Sequence, residues 1–203
     1  KVFLKFFYNN DWVWVPVQLR EQDVKYIRKY WAHEEMSAPT LEKHYNKYYL
    51  RFAFKEKQTL TQTPEAKRTI LAVDLGINTD AACSVMQPDG TVVARKFINF
   101  PAEKDHLEHT LNKIKQANKN YGPSGTSALW REAANSNIDL ANKVSTAITD
   151  FAVLWSCETI VFEHLDMKGK ISGSKKQKLH MWRKQDIQHK VEHKAHRCGI
   201  RIS

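Results

Sequence analysis

Apolar and polar positions alternate over short stretches in the first 57 residues of the chain, which is typical of β-strands. The runs KVFLKFFY and WVWVPVQL lie on either side of the turn-forming residues Asn9, Asn10 and Asp11 and predict a hairpin. A short helix is predicted over residues 21–33, and TLEKH and KYYLRFAFK predict a further strand pair after a loop at Pro39. The many aromatic residues favour a small β-barrel core over exposed rings that stack on nucleic-acid bases.

From residue 69 onwards the pattern changes to strands that alternate with long helices, which is typical of an α/β layer. Strands are predicted at residues 69–74, 81–87 and 91–97, in the stretch ETIVFEHLD, and from residue 200. Helices are predicted from Pro101 to Gly122, along an apolar face from Ile138 to Trp155, and over residues 175–197. Residues 58–68, QTLTQTPEAKR, are polar and show no apolar period, so we assign them to a linker between residues 1–57 and 69–203.

Two of the predicted strands end in an acidic residue. Asp74 follows the apolar run ILAV, and Glu163 follows IVF. An ionised carboxylate beside a buried strand is costly unless a partner, often a cation, compensates its charge. Gly76, two positions after Asp74, permits a close approach of the backbone and leaves room for a bound phosphate, although Asp-x-Gly at a strand end is also a common turn.

The order of the elements resembles that of the ribonuclease H fold, an α/β fold with a mixed sheet and flanking helices. The resemblance implies that the first and fourth strands of residues 69–203 lie side by side, so that Asp74 and Glu163 share one site. Hydrolysis of a phosphodiester at such a site uses divalent ions that stabilise the attacking and leaving oxygens, and hard oxygen ligands suit Mg²⁺.

The motifs that carry this site resemble those of a particular family. ILAVDLGINTDAACSV with DGTVV after it, and IVFEHLDMKGK after a long amphipathic helix, resemble the first and second RuvC motifs of the TnpB nucleases of transposons and of the related type V CRISPR effectors. The stretch APTLEKHYNKYYLRFAF resembles the wedge domain that precedes the nuclease domain in those proteins. Residues 1–57 are therefore expected to form a β-rich, wedge-like domain and residues 69–203 a RuvC-like nuclease domain.

The resemblance implies an RNA-guided DNA endonuclease whose partners are guide RNA and target DNA. It makes Asp74 and Glu163 catalytic residues and ligands of two Mg²⁺ ions, for which Mn²⁺ can substitute, with Asp74 bridging both ions. The family's third acid belongs on a helix after the fifth strand, and the chain stops before that helix, so we expect residues 69–203 to be a C-terminally incomplete domain. Asp80 and Asp166 are weaker candidates for this third ligand, since a capping or solvated role explains both.

Basic residues outnumber acidic residues by 32 to 22, and the formal net charge is +10. This charge favours a nucleic-acid partner over an anionic membrane surface. Basic side chains are concentrated after Glu163, where a nucleic-acid backbone would lie. The predicted nucleic-acid-binding residues are Lys168, Lys170, Lys175, Lys176, Lys178, Arg183 and Lys184. His189 and His193, one helical turn apart, are assigned to an exposed basic helix face and not to a metal site.

The remaining features exclude some classes of protein and leave two alternatives. The sequence contains no signal peptide and no apolar stretch that could span a membrane, and its three cysteines form no Cys-x-x-Cys pair, which predicts a prokaryotic cytoplasmic protein without zinc in this segment. A catalytically silent, RNA-guided DNA-binding member of the same family is the main alternative. An ATP-binding fold of the actin and sugar-kinase type also begins with a strand and Asp-x-Gly, but it usually has a second Asp-x-Gly loop, where this chain has VFE.

Overall fold

A computed structural model describes residues 2–32, 35–44, 46–122, 125–163 and 183–203 of the chain. The chain divides into two units, Lys1–Lys57 and Gln58–Ser203.

Hairpins and one helix make up the first unit. Its elements are β1 (Val2–Tyr8), β2 (Asp11–Val17), α1 (Glu21–Tyr30), β3 (Glu35–Met36), β4 (Thr40–His44), β5 (Lys47–Arg51) and β6 (Phe54–Lys55). β1 pairs with β2, β3 with β6 and β4 with β5, all antiparallel. Asn9 and Asn10 have positive φ angles of 49° and 65°, as a two-residue hairpin turn requires, so the predicted turn is confirmed.

The aromatic side chains of β1 and β2 lie on the surface of the first unit. Phe7 is opposite Trp12 and Lys5 is opposite Trp14, so these four side chains share one face of the hairpin. Trp12 is 56% exposed and Trp14 is 61% exposed. The expected burial of these rings in a barrel core is not seen, because the described strands of this unit form three separate pairs. The barrel itself stays a prediction.

A mixed sheet with helices makes up the second unit. Its elements are β7 (Ile70–Asp74), β8 (Ala81–Met86), β9 (Val92–Ile98), α2 (Pro101–Tyr121), α3 (Ser127–Leu154), β10 (Thr159–Phe162), α4 (Lys184–Arg197) and β11 (Arg201–Ile202). The strand order in the sheet is β11-β10-β7-β8-β9. β10 runs parallel to both β7 and β11, whereas β8 runs antiparallel to both β7 and β9. The predicted mixed α/β class is confirmed at this level.

The predicted start of α1 and both predicted ends of α2 agree with the structure to within a residue, whereas α3 begins at Ser127, eleven residues before the predicted apolar face. Proline occupies the first position of α2, where its missing N–H is not needed, and Gly122 ends the helix with a φ of 75°. α4 begins at Lys184, since Arg183 is not helical. The predicted helix start at residue 175 lies outside the described residues. None of the helices that the structure describes is both long and apolar enough to cross a membrane.

α3 and α4 cover one face of the sheet. Leu71 of β7 belongs to a buried cluster with Val144 of α3 and Val191 of α4, and all three side chains are fully buried. α2 packs on α3 through a second, smaller apolar cluster. Because alternate side chains of a strand face opposite sides, Ala72 and Asp74 lie on the other face of the sheet, where both are exposed.

Residues 58–68 belong to the second unit and are attached to it beside the start of β10. The Thr61 hydroxyl donates a hydrogen bond to Glu158 Oε1 at 3.0 Å, and the Thr63 hydroxyl donates to the same oxygen. Glu158 Oε2 accepts a hydrogen bond from the Thr69 N–H at 3.4 Å. These bonds, that from Thr63 above all, lower the pKa of the Glu158 carboxyl. The segment is polar, as a linker would be, yet it is held against the sheet that follows it.

Candidate functional site

The two acidic strand ends are neighbours in the sheet. β7 and β10 are adjacent and parallel, and their register pairs Val73 with Phe162. Asp74 and Glu163 are the next residue on each chain segment. Since neighbouring strands lie about 4.8 Å apart, the backbones at these two acids lie side by side at the carboxyl edge of the sheet. The predicted adjacency of the first and fourth strands is confirmed.

Both acids face away from the hydrophobic core. Leu71 lies beside Ile160 in the parallel pair, and both side chains are fully buried beneath the helices. Asp74 and Glu163 each follow these residues by three positions, so they lie on the opposite face of the sheet, where both are exposed. Two carboxylates placed in this way repel each other unless a cation compensates their charge.

The donor set at this edge consists of carboxylate oxygens, which suits a hard divalent cation such as Mg²⁺. Across the described residues, no group of three or more His, Cys, Asp or Glu side chains is placed to hold a metal ion. Cys83, which is opposite Val73 in β8, lies on the core side. Burial raises the pKa of this thiol to about 12, so it stays protonated and is a poor metal ligand.

The loop after Asp74 closes tightly on itself. A Cβ atom at Gly76 would lie only 2.7 Å from the backbone carbonyl oxygen of Thr79. The glycine is therefore needed by the loop itself, whatever binds beside it. This steric reason was not visible in the sequence, where Gly76 was explained by room for a phosphate or by a simple turn.

Asp80 has a structural role at the start of α2. Its Oδ2 atom accepts a hydrogen bond of 2.8 Å from the Phe100 N–H, and its Oδ1 atom lies 3.3 Å from the Lys104 ammonium. Lys104 also donates a 2.6 Å hydrogen bond to the Asn78 carbonyl. Asp80 is buried, at 7% exposed, and these contacts tie the loop to α2. Asp80 is therefore not a solvated group but a buried structural contact before the first turn of α2. Asp166 lies outside the described residues.

Two of the predicted nucleic-acid-binding residues belong to the described part of the chain. The Lys184 ammonium donates a 3.1 Å hydrogen bond to the Glu163 backbone carbonyl, which connects the start of α4 to the acid-bearing end of β10. The Arg183 guanidinium donates to an Asp186 oxygen at 3.4 Å. The other five, Lys168, Lys170, Lys175, Lys176 and Lys178, lie outside the described residues. Nucleic-acid binding by all seven stays a prediction.

Two exposed side chains that the sequence analysis did not single out share the face of the acids. Arg95 and Phe97 alternate along β9 with Ala94, Lys96 and Ile98, and Ile98 belongs to the core. The signal was present in the sequence, since the period-two alternation of VVARKFI places Arg95 and Phe97 on one side. Only the pairing of β9 with β8 reveals that this side is the side of Asp74.

Comparison with known proteins connects the chain to one group. No protein-family model matches it. A TnpB-like protein of Aquifex aeolicus (strain VF5) is 29% identical over 161 residues, which cover 70% of this chain and 51% of that protein. The resemblance to TnpB-like proteins is confirmed. The chain spans about half the length of this TnpB-like relative.

The chain also has a fold seen in solved structures. A cryo-EM structure of a Cas12f1-sgRNA-target DNA complex matches 80% of this chain and 40% of the other, with a TM-score of 0.53 and 16% identity. A cryo-EM structure of a CRISPR-Cas12f ternary complex matches 90% of this chain and 37% of the other, with a TM-score of 0.54 and 14% identity. At such identities the likeness shows a shared fold.

Proposed function

We propose that this chain carries part of an RNA-guided DNA endonuclease, with a ribonuclease H-like, RuvC-like site at Asp74 and Glu163. The observation that carries the proposal is the parallel pairing of β7 with β10, which brings the two acidic strand ends together on an exposed face. The similarity to a TnpB-like protein and the fold shared with Cas12f support the same assignment.

The proposed partners are guide RNA and target DNA. One solved structure of similar fold is a complex of Cas12f1 with sgRNA and target DNA. The net charge of +10 favours binding to nucleic acid of either kind. In this proposal the guide recognises the target by base pairing, and residues 1–57 form the wedge-like part of the protein.

Asp74 and Glu163 would hold Mg²⁺, and Mn²⁺ is expected to substitute for it. The metal supplies electrostatic stabilisation of the attacking and leaving oxygens of a phosphodiester. The chain itself contributes three things. The strand pair fixes the spacing of the two acids. The Lys184 bond to the Glu163 carbonyl holds the end of β10. The tight loop at Gly76 sets the chain direction after Asp74.

The proposal is tested with the protein expressed from its complete gene. We expect cleavage of guide-matched DNA to require Mg²⁺ or Mn²⁺, and Asp74→Ala to abolish cleavage while binding of guide RNA and target DNA persists. Asp105→Ala removes an exposed carboxylate of α2 that does not belong to the acidic pair, and it serves as the matched control. Unchanged cleavage by the Asp74 variant would refute the site assignment.

A second candidate function is RNA-guided DNA binding without cleavage. It differs from the first in the third acid, which the resemblance places on a helix after the fifth strand of residues 69–203 and which a silent member would lack. In that case the unaltered protein binds guide-matched DNA but leaves it intact at every concentration of Mg²⁺ or Mn²⁺. The same pair of assays therefore separates the two functions.

A further inference from the structure

Phe97 lies in one row with the acidic pair. The register pairs Asp74 with Ala82 and Ala82 with Phe97, so the three residues follow each other across β7, β8 and β9. Two strand spacings, about 10 Å, separate the Asp74 and Phe97 backbones. The Phe97 ring is 75% exposed, although its neighbour Ile98 is buried in the core. An exposed ring thus lies at a fixed distance from the acids on the sheet face opposite α3 and α4, which we call the open face.

Arg95 lies beside Phe97 on the same face. It is two residues earlier on β9, about 6.6 Å away along the strand, and it is also exposed. Arg95 pairs with Ser84, which in turn pairs with Ala72. β9 is an edge strand, so both side chains are reached from the side of the sheet as well as from above.

Small side chains separate these two residues from the acids. Ala72, Ala82 and Ser84 form the part of the open face between β9 and the end of β7. Because these side chains are small, they do not separate the Phe97 ring and the Arg95 guanidinium from the two carboxylates by any bulky group. About 10 Å corresponds to roughly three stacked nucleotides at 3.4 Å each.

We propose that Phe97 and Arg95 form a nucleotide subsite that holds an unpaired strand of nucleic acid as it approaches the acids. A base stacks on the Phe97 ring, and a backbone phosphate contacts the Arg95 guanidinium. The proposal rests on the nuclease function proposed above and adds the contact that orients the strand. Single-stranded nucleic acid is the occupant that fits, because its bases are free to stack on an aromatic ring while its backbone carries the charge that complements arginine.

The test measures contact with single-stranded DNA without metal, so that it does not depend on cleavage. The 203-residue chain is mixed with a short oligothymidylate in which 5-iodouracil replaces thymine, in the presence of EDTA, and is irradiated. Mass spectrometry then locates the cross-linked residue. We expect a cross-link at Phe97 that is lost in Phe97→Ala and kept in Phe97→Trp.

Affinity measurements supply the magnitude and the controls. Phe97→Ala should weaken oligothymidylate binding by about 5- to 100-fold. Leu154→Ala removes a side chain of nearly equal exposure, 74%, from the end of α3 and should change nothing. Arg95→Gln should reduce the slope of log affinity against log salt by about 0.7, whereas Lys115→Gln on α2 should leave the slope unchanged.

The outcomes separate this proposal from the proposed function. Loss of the cross-link and of affinity in Phe97→Ala, with rescue by tryptophan, supports the subsite. A cross-link elsewhere, or an equal loss of affinity in Phe97→Ala and Leu154→Ala, overturns it and leaves the Asp74 cleavage test untouched. If instead the subsite binds and the complete protein does not cut, the nuclease function fails while the contact stands.

Discussion

A methyl group at Gly76 is expected to destabilise the second unit before any ligand binds. In Gly76→Ala the new Cβ would lie 2.7 Å from the Thr79 carbonyl oxygen, whereas ordinary contacts begin at 3.4 Å. The loop would have to open by about 0.7 Å to relieve this clash. The neighbouring contacts resist such a shift, since Asp80 is bonded to Phe100 and Lys104 to Asn78. Forcing one extra methyl group into a closed site typically costs about 1–3 kcal/mol.

Amide hydrogen exchange along β7 and β8 measures this cost in the second unit alone. We expect faster exchange of these amides in Gly76→Ala, corresponding to a free energy of opening lower by about 1–3 kcal/mol. Gly90→Ala is the control that separates a steric clash from backbone strain. A Cβ atom at Gly90 would meet nothing within 4 Å, but the φ angle of Gly90 is +86°. That variant should perturb the turn between β8 and β9, with a cost of about 1–2 kcal/mol from the left-handed backbone.

The same experiment separates two explanations of the glycine. If Gly76 exists only to leave room for a phosphate, the Gly76→Ala protein has unchanged exchange in the absence of nucleic acid and loses only binding or cleavage. Unchanged exchange would therefore refute the steric reasoning from the loop.

Two further predictions concern the core and the segment before β7. Leu71→Ala should lower the free energy of unfolding of the second unit by about 2–5 kcal/mol, because Leu71 is fully buried in the central strand. The control Leu154→Ala should change this free energy by less than about 0.5 kcal/mol. Urea unfolding measures both variants. Glu158→Gln should destabilise at pH 7, because an amide N–H₂ in place of Oε2 cannot accept the bond from the Thr69 N–H. Since the folded pKa of Glu158 is lowered, this stabilisation is present above its unfolded value of about 4.5 and is lost as the pH falls through the folded value. The difference between variant and unaltered protein should shrink below about pH 4.5, and a pH-independent difference would contradict this role.

Local sequence signals predicted the local structure well. The Asn9-Asn10 turn, the Pro-Asp-Gly turn before β9, and the start of α2 at a proline all agree with the structure. Each of these features depends on the backbone preferences of a few consecutive residues, so it is visible in sequence without knowledge of partners. The position of an acidic residue directly after an apolar strand is likewise visible in a few consecutive residues.

Nonlocal contacts were harder to predict. The polar composition of residues 58–68 indicates a linker, but the bond from Thr61 to Glu158 joins positions 97 residues apart. The aromatic residues of β1 and β2 favour a core, yet their exposure depends on which other strands pair with the hairpin. The sequence shows which side chains are able to be buried or to form hydrogen bonds, and the tertiary packing determines which of them are.

By itself, the sequence determined which residues alternate, where α2 begins and ends, and that Asp74 and Glu163 each close an apolar strand. Tertiary structure decided the rest: that β7 and β10 are parallel neighbours, that the two acids share an exposed face, and that Phe97 lies in the same row. The physical reason is that strand register is set by hydrogen bonds between segments far apart in the chain. A shift of one residue would move every side chain to the opposite face, so only the pairing itself shows which residues meet.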